Sequence, residues 1–207
     1  MRTRPLFLAG TALALAGLLA ACGSSTSTAP GVSASSASAG SSSAAGMMAA
    51  GMGSADDIAF SQLMIPHHDQ AIEMAELALA GTSSPELLAL AQQIKAAQDP
   101  EIAMMSQWLS DWDAPMMMAD QGSGHDMGSM MSSGMMSDAD LSSLEAASGT
   151  DFDRMWLQMM IAHHEGAIVM ANQVLAATAN PTVRDLAQAI VDGQAAEIDT
   201  MRKLMAR

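Results

Sequence analysis

The chain contains one cysteine, Cys22, among its 207 residues. A single cysteine excludes an internal disulfide and a thiolate cluster, so any metal site must use histidine, methionine and carboxylate ligands. Tyrosine is absent, and tryptophan and phenylalanine number three each. Because β-branched residues are sparse and no segment alternates with a period of two, the composition predicts helices and no sheet.

Basic residues are also few. Eight Lys and Arg face 22 Asp and Glu, which gives a formal net charge of −14. Such a surface repels nucleic acid and anionic headgroups and attracts cations, so a metal ion or a basic protein is a more suitable partner than a nucleic acid. The chain has no phosphate loop, dinucleotide fingerprint or nucleophile motif that would indicate a common class of enzyme.

Residues 1–22 have the pattern of a secretory signal, since Arg2 and Arg4 precede an apolar run at 6–21. The run ends in Leu-Ala-Ala-Cys at 19–22, which resembles the lipobox of bacterial lipoproteins, where the cysteine is lipidated. We therefore expect export to the periplasm or cell surface and a membrane anchor through a lipid on Cys22. An ordinary cleaved signal with a stray cysteine, or a short uncleaved anchor, is the alternative. Residues 23–54, rich in Ser, Ala and Gly, predict a disordered tether.

Residues 55–207 contain one pattern twice, 96 residues apart. Residues 64–75 align without a gap on 160–171, and the register continues as far as Met105 on Met201. In each copy a turn separates two apolar helical patterns, and Ser84 and Asn180 are suitable N-caps because proline follows each of them. The periodicity predicts helices at about 56–80, 85–111, 152–177 and 181–206.

Two helical hairpins, 55–111 and 150–207, each have an apolar face that they cannot bury alone. The simplest arrangement is all-α: a four-helix bundle built from two duplicated hairpins, joined by a methionine-rich loop at 112–140. Pro66 lies inside the first helical pattern, so we expect either a kink before the adjacent histidines or a helix that restarts at Pro66.

Four of the five histidines form two matched pairs, His67-His68 and His163-His164. Helical rotation places these imidazoles beside the bundle interior and places Glu101 and Glu197 within the apolar stripes of the partner helices. A carboxylate there needs a partner, and the histidine pairs are the obvious candidates. Which histidine of each pair faces inward stays open. The predicted interior metal ligands are His67, His68, His163, His164, Glu101, Glu197, Met64, Met105, Met160 and Met201.

Imidazole with carboxylate suits Cu(II), zinc or iron, and thioether suits Cu(I). The alternative is a hydrogen-bonded His–Glu network that only fixes the helix register. The loop methionines follow no helical or strand period, and thioethers on an irregular backbone favour capture of a soft ion such as Cu(I) or Ag(I). Low-complexity drift and sacrificial oxidation are the alternatives for this segment. The predicted capture residues are Met116, Met117, Met118, His125, Met127, Met130, Met131, Met135 and Met136.

The doubled Met-Ile-x-His-His-x-x-Ala-Ile-x-Met-Ala segment resembles the signature of the domain-of-unknown-function 305 family, and the resemblance covers 55–207. It implies a ferritin-like four-helix bundle that is exported, with some members associated with copper binding and copper tolerance. The matched positions that carry over are His67, His68, His163 and His164. The chain departs from di-iron ferritin-like proteins because it has no Glu-x-x-His and each half offers one inward glutamate.

The sequence therefore favours a lipid-anchored, extracytoplasmic protein that sequesters copper or passes it to or from a partner protein without turnover. A ferritin-like oxidase acting on copper or iron is the second hypothesis. A structural or partner-binding bundle is the third. Sustained oxygen consumption would distinguish the oxidase, and an unchanged melting temperature in the presence of copper would distinguish the structural bundle.

Overall fold

The computed structural model describes residues 52–116 and 134–207, which form five α-helices and no strand. The leader with Cys22, tether residues 23–51 and the predicted capture residues between 117 and 133 lie outside the described residues. None of the described helices combines the length and apolar composition needed to cross a membrane. The helices are α1 (Ala55–Gly81), α2 (Pro85–Asp111), α3 (Asp138–Ala146), α4 (Gly149–Ala177) and α5 (Pro181–Met205).

Capping residues set where the long helices begin. The Ser54 hydroxyl accepts from the amide of Asp57 at 3.1 Å, and the Asp57 carboxylate accepts from the Ser54 amide at 3.0 Å, which is a capping box. Ser84 and Asn180 cap α2 and α5, each followed by proline in the first turn, as the sequence predicts. Each cap binds backbone amides that have no partner within the helix.

α1, α2, α4 and α5 form the predicted four-helix bundle, with α1 packed on α2 and α4, and α5 packed on α4 and α2. Two apolar clusters fill its interior. The first joins the C-terminal half of α1 to the N-terminal halves of α2 and α4 and the C-terminal end of α5. The second joins the four opposite halves. Neighbouring helices are therefore antiparallel, and the 96-residue repeat relates the two clusters by a pseudo-two-fold axis.

Two features differ from the sequence expectation. α1 continues through Pro66, so the helix does not restart there, and α2 likewise contains Pro100. The nine-residue helix α3 was not predicted, because its sequence has little apolar periodicity. A capping box between Ser137 and Asp140 starts α3, and its Leu144 side chain is fully buried in the first apolar cluster.

Side chains of α1 hold both described ends of the connection between the hairpins. The Gln62 amide donates to the Pro115 carbonyl at 2.7 Å. The Gln70 amide donates to the Met136 carbonyl at 2.8 Å and accepts from the Met136 amide at 2.7 Å, which imitates a pair of backbone hydrogen bonds. The connection therefore leaves and rejoins the bundle beside the stretch of α1 that contains the first histidine pair.

Gly134 lies against the backbone of α4, and replacing it with alanine should be strongly destabilising. Its φ is +80°, and an added Cβ would lie 2.6 Å from the Ala162 carbonyl oxygen and 3.0 Å from that of His163. We expect Gly134→Ala to lower the free energy of unfolding by about 2 kcal/mol or more, measured by urea denaturation.

Gly149 provides the matched control, because its φ is +59° and nothing lies within 4 Å of an added Cβ. Gly149→Ala should therefore lower the free energy of unfolding by only about 1 kcal/mol, the cost of holding a residue with a Cβ at positive φ. Equal losses for the two variants would show that the contact between residue 134 and α4 contributes nothing.

Candidate metal centre

A polar layer separates the two apolar clusters at the middle of the bundle. We call it the histidine layer. α1, α2, α4 and α5 each contribute two buried or partly buried polar side chains to it, from the stretch between their two apolar segments. The members are His67 and His68 on α1, Gln98 and Glu101 on α2, His163 and His164 on α4, and Gln194 and Glu197 on α5.

The rings of His67 and His163 are in contact at the centre of this layer. Their centroids are 3.8 Å apart and their planes are inclined by 40°. The two residues occupy matched positions in the repeat, so the pseudo-two-fold axis passes between them. His164 is farther away, with its ring centroid 6.4 Å from that of His163.

In each hairpin a histidine of one helix is hydrogen-bonded to a glutamate of the other helix. His68 Nε2 lies 2.7 Å from Glu101 Oε2, and His164 Nε2 lies 2.8 Å from Glu197 Oε2. An ionised carboxylate only accepts hydrogen bonds, so Nε2 carries the proton in both rings. In the neutral imidazole this leaves Nδ1 as the nitrogen with a lone pair.

Several buried polar atoms of the layer have no hydrogen-bond partner among the described residues. They are Nδ1 of His68, Nδ1 of His164, both ring nitrogens of His163, both amide atoms of Gln98 and Oε1 of Gln194. Buried polar atoms without partners are rare, and each costs about 1–3 kcal/mol. Their concentration in one layer indicates a position for a ligand or for bound water.

His163 is kept in its neutral form. Its side chain is 1% exposed, and burial lowers its pKa well below the usual range, with the nearby His67, His164 and His68 lowering it further. A neutral imidazole has a nitrogen with a free lone pair, and histidine binds metal ions in this neutral form.

The lowered pKa of His163 predicts that the metal-free protein loses stability in mild acid. The unfolded chain takes up a proton on this residue near pH 6.5, and the folded protein does not, so the free energy of unfolding falls as the pH drops below about 6.5. One such site contributes at most about 1.4 kcal/mol per pH unit. Urea denaturation at pH 7.5 and pH 5.5 measures the difference.

A His163→Leu variant is the control for this pH dependence. It should lose the part of the slope that His163 causes, because leucine does not titrate. An unchanged slope in that variant would contradict the assignment of the effect to His163.

The predicted methionines fall into two groups. Met64 and Met105 lie in the second apolar cluster, and Met160 and Met201 lie in the first, all with fully buried side chains. They belong to the cores on the two sides of the histidine layer. Of the predicted capture residues, Met116 is about half exposed, and Met135 and Met136 are partly buried.

The described residues of the layer do not form a complete coordination site for a metal ion. Within 52–116 and 134–207, no three His, Cys, Asp or Glu side chains converge closely enough to hold one. The described arrangement instead consists of one His–His contact and two separate His–Glu pairs. A metal ion bound here would need a thioether ligand, a water ligand or a movement of the imidazoles.

Helical rotation along the sequence places Gln98 and Gln194 inside the apolar stripes, and both are buried in the structure. Sequence reasoning missed three other glutamines. Gln93 donates to Glu197 Oε1 at 3.2 Å, and no repeat marks it, since Ala189 occupies its counterpart. Gln62 and Gln70 bind backbone atoms, a role that side-chain patterns do not reveal.

Solved structures share this architecture. A DUF305 protein from Streptomyces coelicolor, described as secreted, is 30% identical, with a TM-score of 0.68 over 73% of this chain and 92% of its own. A DUF305 fragment from Deinococcus radiodurans is 30% identical, with a TM-score of 0.66 over 75% of this chain and 99% of its own. CopM in its Cu(I)-bound form is 33% identical, with a TM-score of 0.60 over 72% of this chain and 94% of its own.

CopM structures with Cu(II) and with silver also match this chain. No curated protein sequence matches it. The family defined as a domain of unknown function, DUF305, matches residues 57–205, which span both hairpins and the whole histidine layer. The chain therefore belongs to the DUF305 family.

Proposed function

We propose that this protein binds copper, and silver in the same way, and that it sequesters the ion or passes it on outside the cytoplasm. The observation that carries the proposal is the set of buried, unpartnered nitrogens in the histidine layer. His163 offers two such atoms, and His68 and His164 offer one each in the part of the chain that the structure describes. Imidazole nitrogen binds both oxidation states of copper.

The carboxylates of the layer fit a supporting role. Glu101 and Glu197 accept the Nε2–H of their histidines, which fixes the tautomer and leaves Nδ1 available to a metal ion. In this proposal His68 and His164 are ligands, and the glutamates orient them. The sequence hypothesis, in which the glutamates bind the metal directly, requires the His–Glu pairs to open.

The structural relatives support the choice of metal. CopM has been solved with Cu(I), Cu(II) and silver, and it shares about a third of its residues with this chain. Cu(I) and Ag(I) are soft ions that accept thioethers and low coordination numbers, so they do not require three converging His or carboxylate ligands. The fully buried Met64, Met105, Met160 and Met201 border the layer and are the candidate thioether ligands.

The methionine-rich connection is the candidate for initial capture. Gln62 and Gln70 hold its described ends on α1, on either side of His67 and His68 in sequence. Soft ions captured by these methionines would be released close to the histidine layer. Anchoring through a lipid on Cys22 and export to the periplasm or cell surface complete the proposal, and the acidic surface would concentrate cations near the bundle.

An anaerobic Cu(I) titration of the chain from residue 23 onward, in competition with a colorimetric chelator, tests this function. We expect the protein to compete for Cu(I). A variant with His67, His68, His163 and His164 replaced by alanine should stop competing tightly while keeping its helical circular dichroism. No competition by the natural sequence would contradict the proposal, and full affinity in the four-histidine variant would assign binding to the methionine-rich connection alone.

A further inference from the structure

The repeat is broken at one contact of the histidine layer. The Gln93 amide on α2 donates to Glu197 Oε1 on α5 at 3.2 Å, so this bond links the two hairpins. The pseudo-two-fold axis places Ala189 of α5 opposite Glu101, where Gln93 is opposite Glu197. Alanine has no side-chain donor, so Glu101 lacks the equivalent bond.

The two carboxylates are consequently held to different extents. Glu197 accepts from His164 through Oε2 and from Gln93 through Oε1, and 6% of its side chain is exposed. Glu101 accepts from His68 through Oε2, its one donor among the described residues, and 19% of its side chain is exposed. One glutamate is therefore held at both oxygens, and the other keeps rotational freedom and access to water.

We propose that Gln93 is a positioning residue that makes the His164 half of the layer bind a soft metal ion more tightly than the His68 half. This inference rests on the proposed function, since it concerns the same ligands. A carboxylate that orients a ligating imidazole affects metal affinity through the ring that it holds. Fixing Glu197 by a second bond fixes the His164 ring, and less freedom is then lost when a metal ion binds.

The metal-free protein provides the first test. Nitrogen-15 NMR of the histidine rings measures how fast the Nε2 protons of His68 and His164 exchange with solvent. We expect slower exchange at His164. Gln93→Ala should accelerate exchange at His164 by about fivefold, the effect of one modest hydrogen bond, and leave His68 unchanged. Ala189→Gln should slow exchange at His68, because residue 189 is exposed and has room for the longer side chain.

Titration with Ag(I) on the same samples provides the second test. In the natural protein the ring signals of His164 should respond at lower silver concentration than those of His68, and in Gln93→Ala the two should respond together. Gln92→Ala is the matched control, because Gln92 is an exposed neighbour on α2. That control should keep the natural order.

The outcomes separate the two claims. If silver binds but both rings respond together in the natural protein, or if Gln93→Ala leaves their order unchanged, the inference about Gln93 is wrong and the proposed function stands. If silver produces no response at any ring and the Cu(I) titration shows no competition, the proposed function fails, and this inference fails with it.

Discussion

Replacing His163 with leucine should stabilise the metal-free protein and remove the tight copper binding that we propose for it. Both ring nitrogens of His163 are buried without hydrogen-bond partners among the described residues, in contact with His67. Leucine has a similar volume and removes this unpartnered polarity, so we expect a gain of about 1–2 kcal/mol in the free energy of unfolding. Copper affinity should fall by about 100-fold or more, since losing even an outer residue of a metal site costs 10–100-fold.

His164→Leu is the matched control, because it makes the same substitution at the adjacent residue. It should also lose copper affinity, but it should destabilise the metal-free protein, since it leaves the Glu197 carboxylate buried without His164. Thermal denaturation of the metal-free variants and Cu(I) competition measure the two effects. A loss of stability in His163→Leu as large as that in His164→Leu would show that the His163 nitrogens have partners in the metal-free state.

The changes in stability expected for His163→Leu and His164→Leu have opposite signs, and this difference distinguishes a ligand-binding layer from a purely structural network. A buried network that served only to fix the helix register would satisfy its polar groups internally. Here the His–Glu pairs satisfy one nitrogen of His68 and one of His164, and leave the other. The folded protein therefore keeps an unpartnered, buried ring nitrogen at matched positions in both halves, which costs stability. Such local costs are typical of sites that bind a ligand.

The bundle and the place of the histidines follow from the sequence because both depend on periodicity. The 96-residue repeat carries the apolar stripe, the His pairs and the matched Glu101 and Glu197 together, and a helical period of 3.6 residues then directs them inward. The ring nitrogen that is left without a partner does not follow from periodicity. It depends on which nitrogen contacts the carboxylate, which is a matter of side-chain geometry and not of residue spacing.

The sequence alone also does not explain the positions at which the two copies of the repeat differ. Gln70 and Gly166 occupy matched positions, and the alignment gives no reason for the difference between them. In the folded protein the Gln70 amide holds the backbone of Met136, and Gly134 lies with its Cβ position 3.1 Å from Cα of Gly166. Both differences accommodate the described residues 134–136, which have no counterpart in the repeat, so their meaning depends on where those residues lie.

Replacing the glutamate of the second hairpin should lower the free energy of unfolding more than replacing the glutamate of the first. Glu197→Leu leaves the Nε2–H of the fully buried His164 without its acceptor, and we expect a loss of about 2–4 kcal/mol in the free energy of unfolding. Glu101→Leu breaks the same kind of pair, but 19% of the Glu101 side chain is exposed, against 6% for Glu197, so this pair is less completely removed from water. We therefore expect about half that loss. Urea denaturation of the metal-free variants measures both.

Glu197→Gln separates the hydrogen bond from the charge, because the amide oxygen still accepts from His164 Nε2 and the side chain keeps its volume. This variant should recover most of the stability that Glu197→Leu loses, provided that His164 is neutral in the folded protein. Equal losses for Glu101→Leu and Glu197→Leu would contradict the different burial of the two pairs as the cause. A Glu197→Gln variant as unstable as Glu197→Leu would instead show that the pair is a buried ion pair, in which the carboxylate charge stabilises a protonated imidazole.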